Sequence, residues 1–225
     1  MTMNIEVLVL DFGGVISRTL FETHDLTEKS LELSPGTLSW RGPFAPETDP
    51  LWNSMQAGDI SERDYWLKRS IEVGELVGEK WTTMAQFVQR ARGDDPMAII
   101  RPEALDAIDQ AKRTGIKLAV LSNELDLFYG KDFRQKLPFL THFEVILDAT
   151  YTNILKPDPR AYQQCGEELG LGLGSCLFVD DQARNIAGAK AVGMNTVHFD
   201  VQKPQQSYST ALALLGADRQ EAVHA

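Results

Sequence analysis

Two cysteines, Cys165 and Cys176, are all that this chain of 225 residues contains, and no metal-ligand spacing surrounds either. The expectation is two reduced thiols in a cytoplasmic protein rather than a disulfide framework. Histidine is scarce as well. His24, His142, His198 and His224 are scattered along the chain, so no zinc site is expected. Basic residues are in the minority, 22 against 32 acidic ones, which leaves a formal net charge of −10. That balance argues against a nucleic-acid partner, whose backbone needs clustered Lys and Arg. A small anionic substrate is still compatible with it if a metal and a single Lys reverse the field locally. Long apolar runs are missing, as is a basic stretch followed by an apolar one near Met1, so neither a membrane span nor a leader is expected. Internal repeats and low-complexity tracts are absent too.

What is present is concentrated in IEVLVLDFGGV, residues 5–15. A short apolar run rich in β-branched residues reads as a strand buried on both faces. It ends on the carboxylate of Asp11 and breaks at Gly13-Gly14, where a ligand can approach the backbone closely. From Ser17 to Asp95 the periodicity is helical. Thr27–Leu33 reads as a short helix and the proline-rich Trp40–Pro50 as a loop. Leu51, Trp52 and Met55 predict a helix that Gly58 stops. Ser61 to Asp64 resembles a capping box, and Trp81–Arg92 predicts another helix before the break at Gly93 to Pro96.

After Arg101 helices and strands alternate. Strands are predicted at Ile116–Leu121, Phe143–Leu147, Cys176–Val179 and Asn195–Phe199. Helices are predicted from Pro102 to Gly115, from Asp158-Pro159 to Gly170, over Ala183–Val192 and over Ser207–Leu215, with a loose tail after Asp218. Such alternation implies an α/β fold, a mostly parallel sheet with helices on both faces. All strands of a parallel sheet present their carboxyl ends on one edge, so Asp11, Ser122-Asn123, Lys156 and Asp180-Asp181 converge there. A carboxylate can serve as nucleophile, a hydroxyl and an amide can hold phosphate oxygens, and a Lys can neutralise the transferring group. Two further carboxylates suit Mg²⁺. Each residue also has an ordinary use: Ser122-Asn123 as a turn, Lys156 as a solvated loop residue, Asp180-Asp181 as a helix cap. Four such coincidences at four strand ends are improbable.

With DFGGV at 11–15, LSN at 121–123, KPDP at 156–159, FVDD at 178–181 and NIAGAKAVGM at 185–194, the chain resembles the haloacid dehalogenase-like hydrolase superfamily. The resemblance implies a Rossmann-like core over 1–16 and 96–225 and an all-helical cap over 17–95. It makes Asp11 the nucleophile, Asp11, the Gly13 carbonyl, Asp180 and Asp181 the Mg²⁺ site, Ser122 and Asn123 phosphate ligands, and Lys156 the support of the phospho-intermediate. Gly14, Arg18, His24 and Arg41 are expected to meet the substrate, with Trp40 and Phe44 beside them, while Trp52, Trp66 and Trp81 form the cap's own core. Two residues depart from the family pattern. Gly13 stands where phosphatases usually carry an acid/base Asp, and Asn185 where many members carry another acid. Glu124 and His24 are the side chains that would replace the missing acid. The resulting expectation is a Mg²⁺-dependent phosphatase for a small phosphorylated metabolite, monomeric or homodimeric. A metal-independent 2-haloacid dehalogenase and a non-catalytic phospho-ligand-binding protein are the alternatives.

Overall fold

The computed structural model describes residues 4–91 and 95–216. The break at Gly93-Asp94 and the tail after Asp218 lie outside these residues. Among those described, five strands form one parallel sheet: β1 (Val7–Leu10), β2 (Lys117–Ser122), β3 (Val145–Asp148), β4 (Cys176–Asp180) and β5 (Asn195–His198). The helices are α1 (His24–Ser30), α2 (Pro50–Ala57), α3 (Glu62–Leu76), α4 (Met84–Ala91), α5 (Pro102–Arg113), α6 (Leu125–Tyr129), α7 (Ala149–Thr152), α8 (Pro159–Leu169), α9 (Ala183–Ala191) and α10 (Pro204–Leu215). The chain divides into two compact units. One is Met1–Arg18, Ile100–Leu125 and Arg134–Ala225; the other is Thr19–Ile99 with Asp126–Phe133.

The first unit is the α/β layer structure. Its central strand β1 has every side chain buried, and each such aliphatic group contributes roughly 1.5–3 kcal/mol when taken from water. Side chains alternate across a strand. Val7, Val9, Ala119, Leu121, Cys176 and Phe178 therefore share one face, packed on Tyr162 and Cys165 of α8 and Ile186 and Ala189 of α9. The opposite face is covered by α5 on β2 and α10 on β4 and β5. The strand order is β3-β2-β1-β4-β5, so the chain lays strands to one side of β1 and then crosses to the other. The crevice at such a reversal lies beyond the carboxyl ends of β1 and β4. Leu10 pairs with Val120 and with Val179, which brings Asp11 level with the ends of both neighbours.

The second unit is helical. Trp40, Trp52, Trp66 and Trp81 all belong to its buried core, gathered around Phe21 and Tyr65. The Phe21 ring lies 5.2 Å from Trp52, 5.3 Å from Trp66 and 5.6 Å from Trp40. Asp49 caps α2 through Trp52 N, and Gly58 ends that helix with φ 86°. Ser61 and Asp64 make the reciprocal capping box at the start of α3. The segment 126–133 joins this unit because Phe128 and Tyr129 pack on the same core. Several boundaries differ from the sequence reading. α1 starts at His24 instead of Thr27, α4 at Met84 instead of Trp81, and α10 at Pro204 instead of Ser207, where proline takes the first turn. Short 3₁₀ turns at Gly42–Phe44 and Pro46–Thr48 punctuate the expected loop. Among the described residues no helix is long and apolar enough to cross a membrane.

Candidate active site

Asp11 leaves β1 into a turn, Phe12–Ile16, that bends at its two glycines. Its Oδ1 accepts a hydrogen bond from Lys156 Nζ at 2.8 Å, and the same ammonium donates to Asp180 Oδ2 at 2.7 Å. Lys156 follows α7 in the connection from β3 to α8, and Asn123 places it. Asn123 Nδ2 donates to Lys156 O at 3.1 Å, and Asn123 Oδ1 accepts from Lys156 N at 2.7 Å. The carboxamide expected on phosphate is thus engaged with the backbone that carries the lysine. Ser122 ends β2 opposite Asp148 and is buried. Asp148 accepts from Leu125 N and Thr150 N at Oδ1 and from Arg134 at Oδ2, which ties the loop after β2 to the end of β3.

Asp180 and Asp181 are neighbours with different surroundings. Asp180 is fully buried. Besides Lys156 it accepts from Gln182 N at 2.8 Å and from Asn185 Nδ2 at 3.1 and 3.0 Å on its two oxygens. These four hydrogen bonds, from three donor groups, match the roughly four lone-pair sites of a carboxylate. Asn185 is held by Tyr162, whose hydroxyl donates to Asn185 O at 2.8 Å, and its own Oδ1 is buried with no hydrogen-bond partner. Asp181 is half-buried and lies against Gly14. Gly14 has φ 82°, and a Cβ there would stand 2.7 Å from Asp181 Oδ2. Only glycine permits both the backbone angle and that approach. Gly13 differs, with φ −72° and ψ 124°, values any residue adopts, and nothing lies within 4 Å of a Cβ built on it.

One carboxylate oxygen from each of Asp11, Asp180 and Asp181 falls within 4.8 Å of the others. Three carboxylates gather where only one ammonium is at hand, and two of them, Asp11 and Asp180, are buried where charge is costly. The donor set is all oxygen. Both features fit a hard divalent cation. Burial pushes the Asp11 carboxyl up to about 7; Lys156 opposes that shift and Asp180 adds to it. Burial disfavours the charged form of Lys156, but Asp11 and Asp180 outweigh it and hold the ammonium protonated above its ordinary range.

The remaining predicted residues divide between the two units. Arg18 is the last residue of the first α/β segment and is half-buried. His24 and Arg41 belong to the helical unit and meet one another, Arg41 Nη1 donating to His24 Nδ1 at 3.2 Å. The His24 ring stands edge-on to Trp40 at 4.3 Å. Burial, and then Arg41, push its pKa down to about 4. His24 is therefore neutral at pH 7, an unsuitable proton donor, whereas Glu124 is buried just beyond the end of β2. Phe44 is exposed. Sequence reasoning missed Gln182 and Arg101. Arg101 Nε donates to Gly14 O at 3.1 Å, yet in the sequence it is only the residue before a helix-starting proline. A separate cavity of about 420 Å³ lies between β5 and α10, lined by His198, Lys203, Gln206 and Thr210 among others. His198 Nε2 is also 3.0 Å from Asp181 O.

A phosphatase of Mycobacterium tuberculosis, MT3486, is 37% identical over 146 residues, 65% of this chain and 64% of that one. The (S)-2-haloacid dehalogenase 4A of Burkholderia cepacia is 30% identical over 114 residues, 49% of this chain and 47% of that one. The chain thus spans less than two thirds of the length of either relative. A dehalogenase crystal structure superposes with a TM-score of 0.66 at 18% identity, covering 96% of this chain and 99% of that one, a likeness of fold. The family model for haloacid dehalogenase-like hydrolases matches residues 5–193, and the chain belongs to that family of hydrolases.

Proposed function

We propose that this hydrolase is a Mg²⁺-dependent phosphatase acting on a small phosphorylated metabolite through an aspartyl-phosphate at Asp11. The observation that carries the reading is the acidic cluster itself: buried Asp11 and Asp180 on the single ammonium of Lys156, with an oxygen of the half-buried Asp181 within 4.8 Å of theirs. A divalent cation balances that cluster, whereas a metal-free anion site gains nothing from two adjacent carboxylates. Asp11, the Gly13 carbonyl and Asp181 would hold the metal. Asp180, whose oxygens already accept four hydrogen bonds from three donor groups, would act mainly as the partner that orients Lys156. When bound, Mg²⁺ supplies charge neutralisation for the phosphoryl oxygens.

The protein's own groups do the rest. An Asp11 oxygen attacks phosphorus, and the bond from phosphorus to the leaving oxygen breaks. Lys156 offsets charge on Asp11 and on the transferring group. Ser122 would meet the phosphoryl oxygens, while the Asn123 carboxamide, engaged with the Lys156 backbone, keeps the lysine in place. Water then attacks the aspartyl-phosphate, inorganic phosphate leaves, and the carboxylate is restored. Gly13 donates no proton, so the leaving oxygen takes one from solvent or from Glu124. Gly14 gives its side-chain space to Asp181, Arg18 would recognise the distal part of the substrate, and His24 accepts from Arg41.

The alternative of a 2-haloacid dehalogenase draws on Gly13, since halide departs without a proton. A screen of p-nitrophenyl phosphate, acetyl phosphate and 2-chloropropionate, each with Mg²⁺ and with EDTA, separates the readings. Turnover of the phosphates that EDTA abolishes and Asp11→Asn eliminates is the expected result. Halide release that persists in EDTA would establish the other chemistry.

A further inference from the structure

Two adjacent glycines have the freest backbone a chain can have, so the order of the Gly13-Gly14 turn must be imposed from outside it. Three consecutive carbonyls of that turn are gripped from behind. Arg101 Nε donates to Gly14 O at 3.1 Å, the Tyr208 hydroxyl to Val15 O at 3.0 Å, and Arg101 N to Ile16 O at 3.0 Å. The two gripping side chains meet on Phe199. The guanidinium carbon of Arg101 is 5.6 Å from the Phe199 ring centre, and the Tyr208 ring crosses the same ring at 5.0 Å and 72°. All three residues are buried. Phe199 N in turn donates to Asp180 O at 2.9 Å. One packed group, drawn from the residue before α5, the residue after β5 and the second turn of α10, therefore touches both loops that carry the carboxylates.

We propose that Arg101, Phe199 and Tyr208 are positioning residues, a bracket that sets the spacing between the Gly13-Gly14 turn and Asp180-Asp181 and so sets the affinity for a divalent cation. None of the three side chains is a ligand in the proposed metal site. They act through the backbone. Peptide planes are rigid, so fixing the carbonyl oxygens of residues 14, 15 and 16 fixes the path by which the chain leaves Gly13. The bracket's effect on affinity rests on the Mg²⁺ reading above; its effect on the turn does not.

The test uses Tyr208→Phe, which removes one oxygen and keeps the ring on Phe199, and Arg101→Met, which keeps the stem and removes the donors. Two quantities are read. One is the Mg²⁺ concentration that half-saturates the rise in melting temperature. The other is amide hydrogen exchange over 12–17 and 180–182 in metal-free protein, with α8 as internal reference. Both variants are expected to raise the half-saturating Mg²⁺ by about tenfold or more, the usual scale for losing a group that orients ligands. Exchange over 12–17 should accelerate while α8 is unchanged. Exchange like wild type in both variants overturns the bracket. Faster exchange with an unaltered Mg²⁺ response overturns it too, by reducing the contacts to packing. If wild type itself gives no Mg²⁺ response, the metal reading fails separately, and exchange alone decides whether the bracket holds the turn.

Discussion

At the scale of single residues the two glycines of the nucleophile turn are opposites. Gly14 is required by its positive φ and by Asp181, whereas Gly13 is required by neither backbone nor packing. Gly14→Ala should therefore cost about 1–3 kcal/mol in denaturant unfolding, the range for strain at such a position. It should also weaken Mg²⁺ binding, since the methyl displaces Asp181. A stable Gly14→Ala that binds Mg²⁺ like wild type would mean the close approach has no consequence. Gly13→Asp should fold with its melting temperature nearly unchanged. Restoring a general acid is worth roughly 10²–10⁴-fold at most. The gain should appear on alkyl phosphates and shrink for p-nitrophenyl and acetyl phosphate, whose leaving groups need no proton. A stable Gly13→Asp with the same steep dependence on leaving-group pKa would show that another group already serves as acid. Asp11, Lys156 and the Asp180-Asp181 pair were legible in the sequence because each sits at a strand end. The backbone task of Asn123 and the grip of Arg101 were not legible, because both depend on partners distant in the chain, Lys156 for one and the Gly14 carbonyl for the other.

At the scale of elements, the parallel strands were readable to within one or two residues, most plainly β1 and β4, whose burial on both faces makes an unbroken apolar run up to Asp11 and Asp180. Helix starts were readable at Ser61 and Asp158, where a cap announced them. The helices α6 and α7 were not, since they are only 5 and 4 residues long and carry no full helical period. Asp49 shows the same limit from the side of energetics. In the sequence it is one acid in a proline-rich loop. In the structure it is fully buried and accepts from Trp52 N at 2.8 Å, the Tyr65 hydroxyl at 2.7 Å and Arg69 Nη2 at 2.5 Å. Asp49→Ala breaks the buried pair with Arg69, which keeps only the half-exposed Glu72, and removes the α2 cap, so it should cost up to about 3–5 kcal/mol. Ser61→Ala, on an exposed cap, should cost only about 0.5–2 kcal/mol. Urea unfolding of the two variants checks the ranking; equal losses would mean that the buried pair contributes no more than a surface cap.

At the scale of the whole molecule, the strand order explains why residues as far apart in sequence as Asp11, Asn123, Lys156 and Asp180 meet, and each unit keeps its own core. Within the helical unit, His24 was read from the sequence as a substrate contact, since a lone histidine carries no sign of being buried. The structure encloses it between Trp40 and Arg41, with Glu28 also acting on its charge. Its folded-state pKa of about 4 lies below the ordinary 6.5. Above pH 6.5 the ring is neutral whether folded or not, and the full benefit of burying it is present. As pH falls below 6.5 the unfolded chain takes up a proton that the folded one refuses until near pH 4. Stability must then fall across that window, by up to about 3 kcal/mol for a shift of this size. His24→Gln has no such proton to refuse. Its unfolding free energy, measured against wild type in urea, should show a penalty about 2–3 kcal/mol smaller at pH 4.5 than at pH 7.5. The substitution itself perturbs the contacts with Arg41 and Trp40, but that cost is common to both pH values and cancels in the difference. A penalty that is the same at both pH values would place the His24 ring in contact with water, and would make it available to the substrate after all.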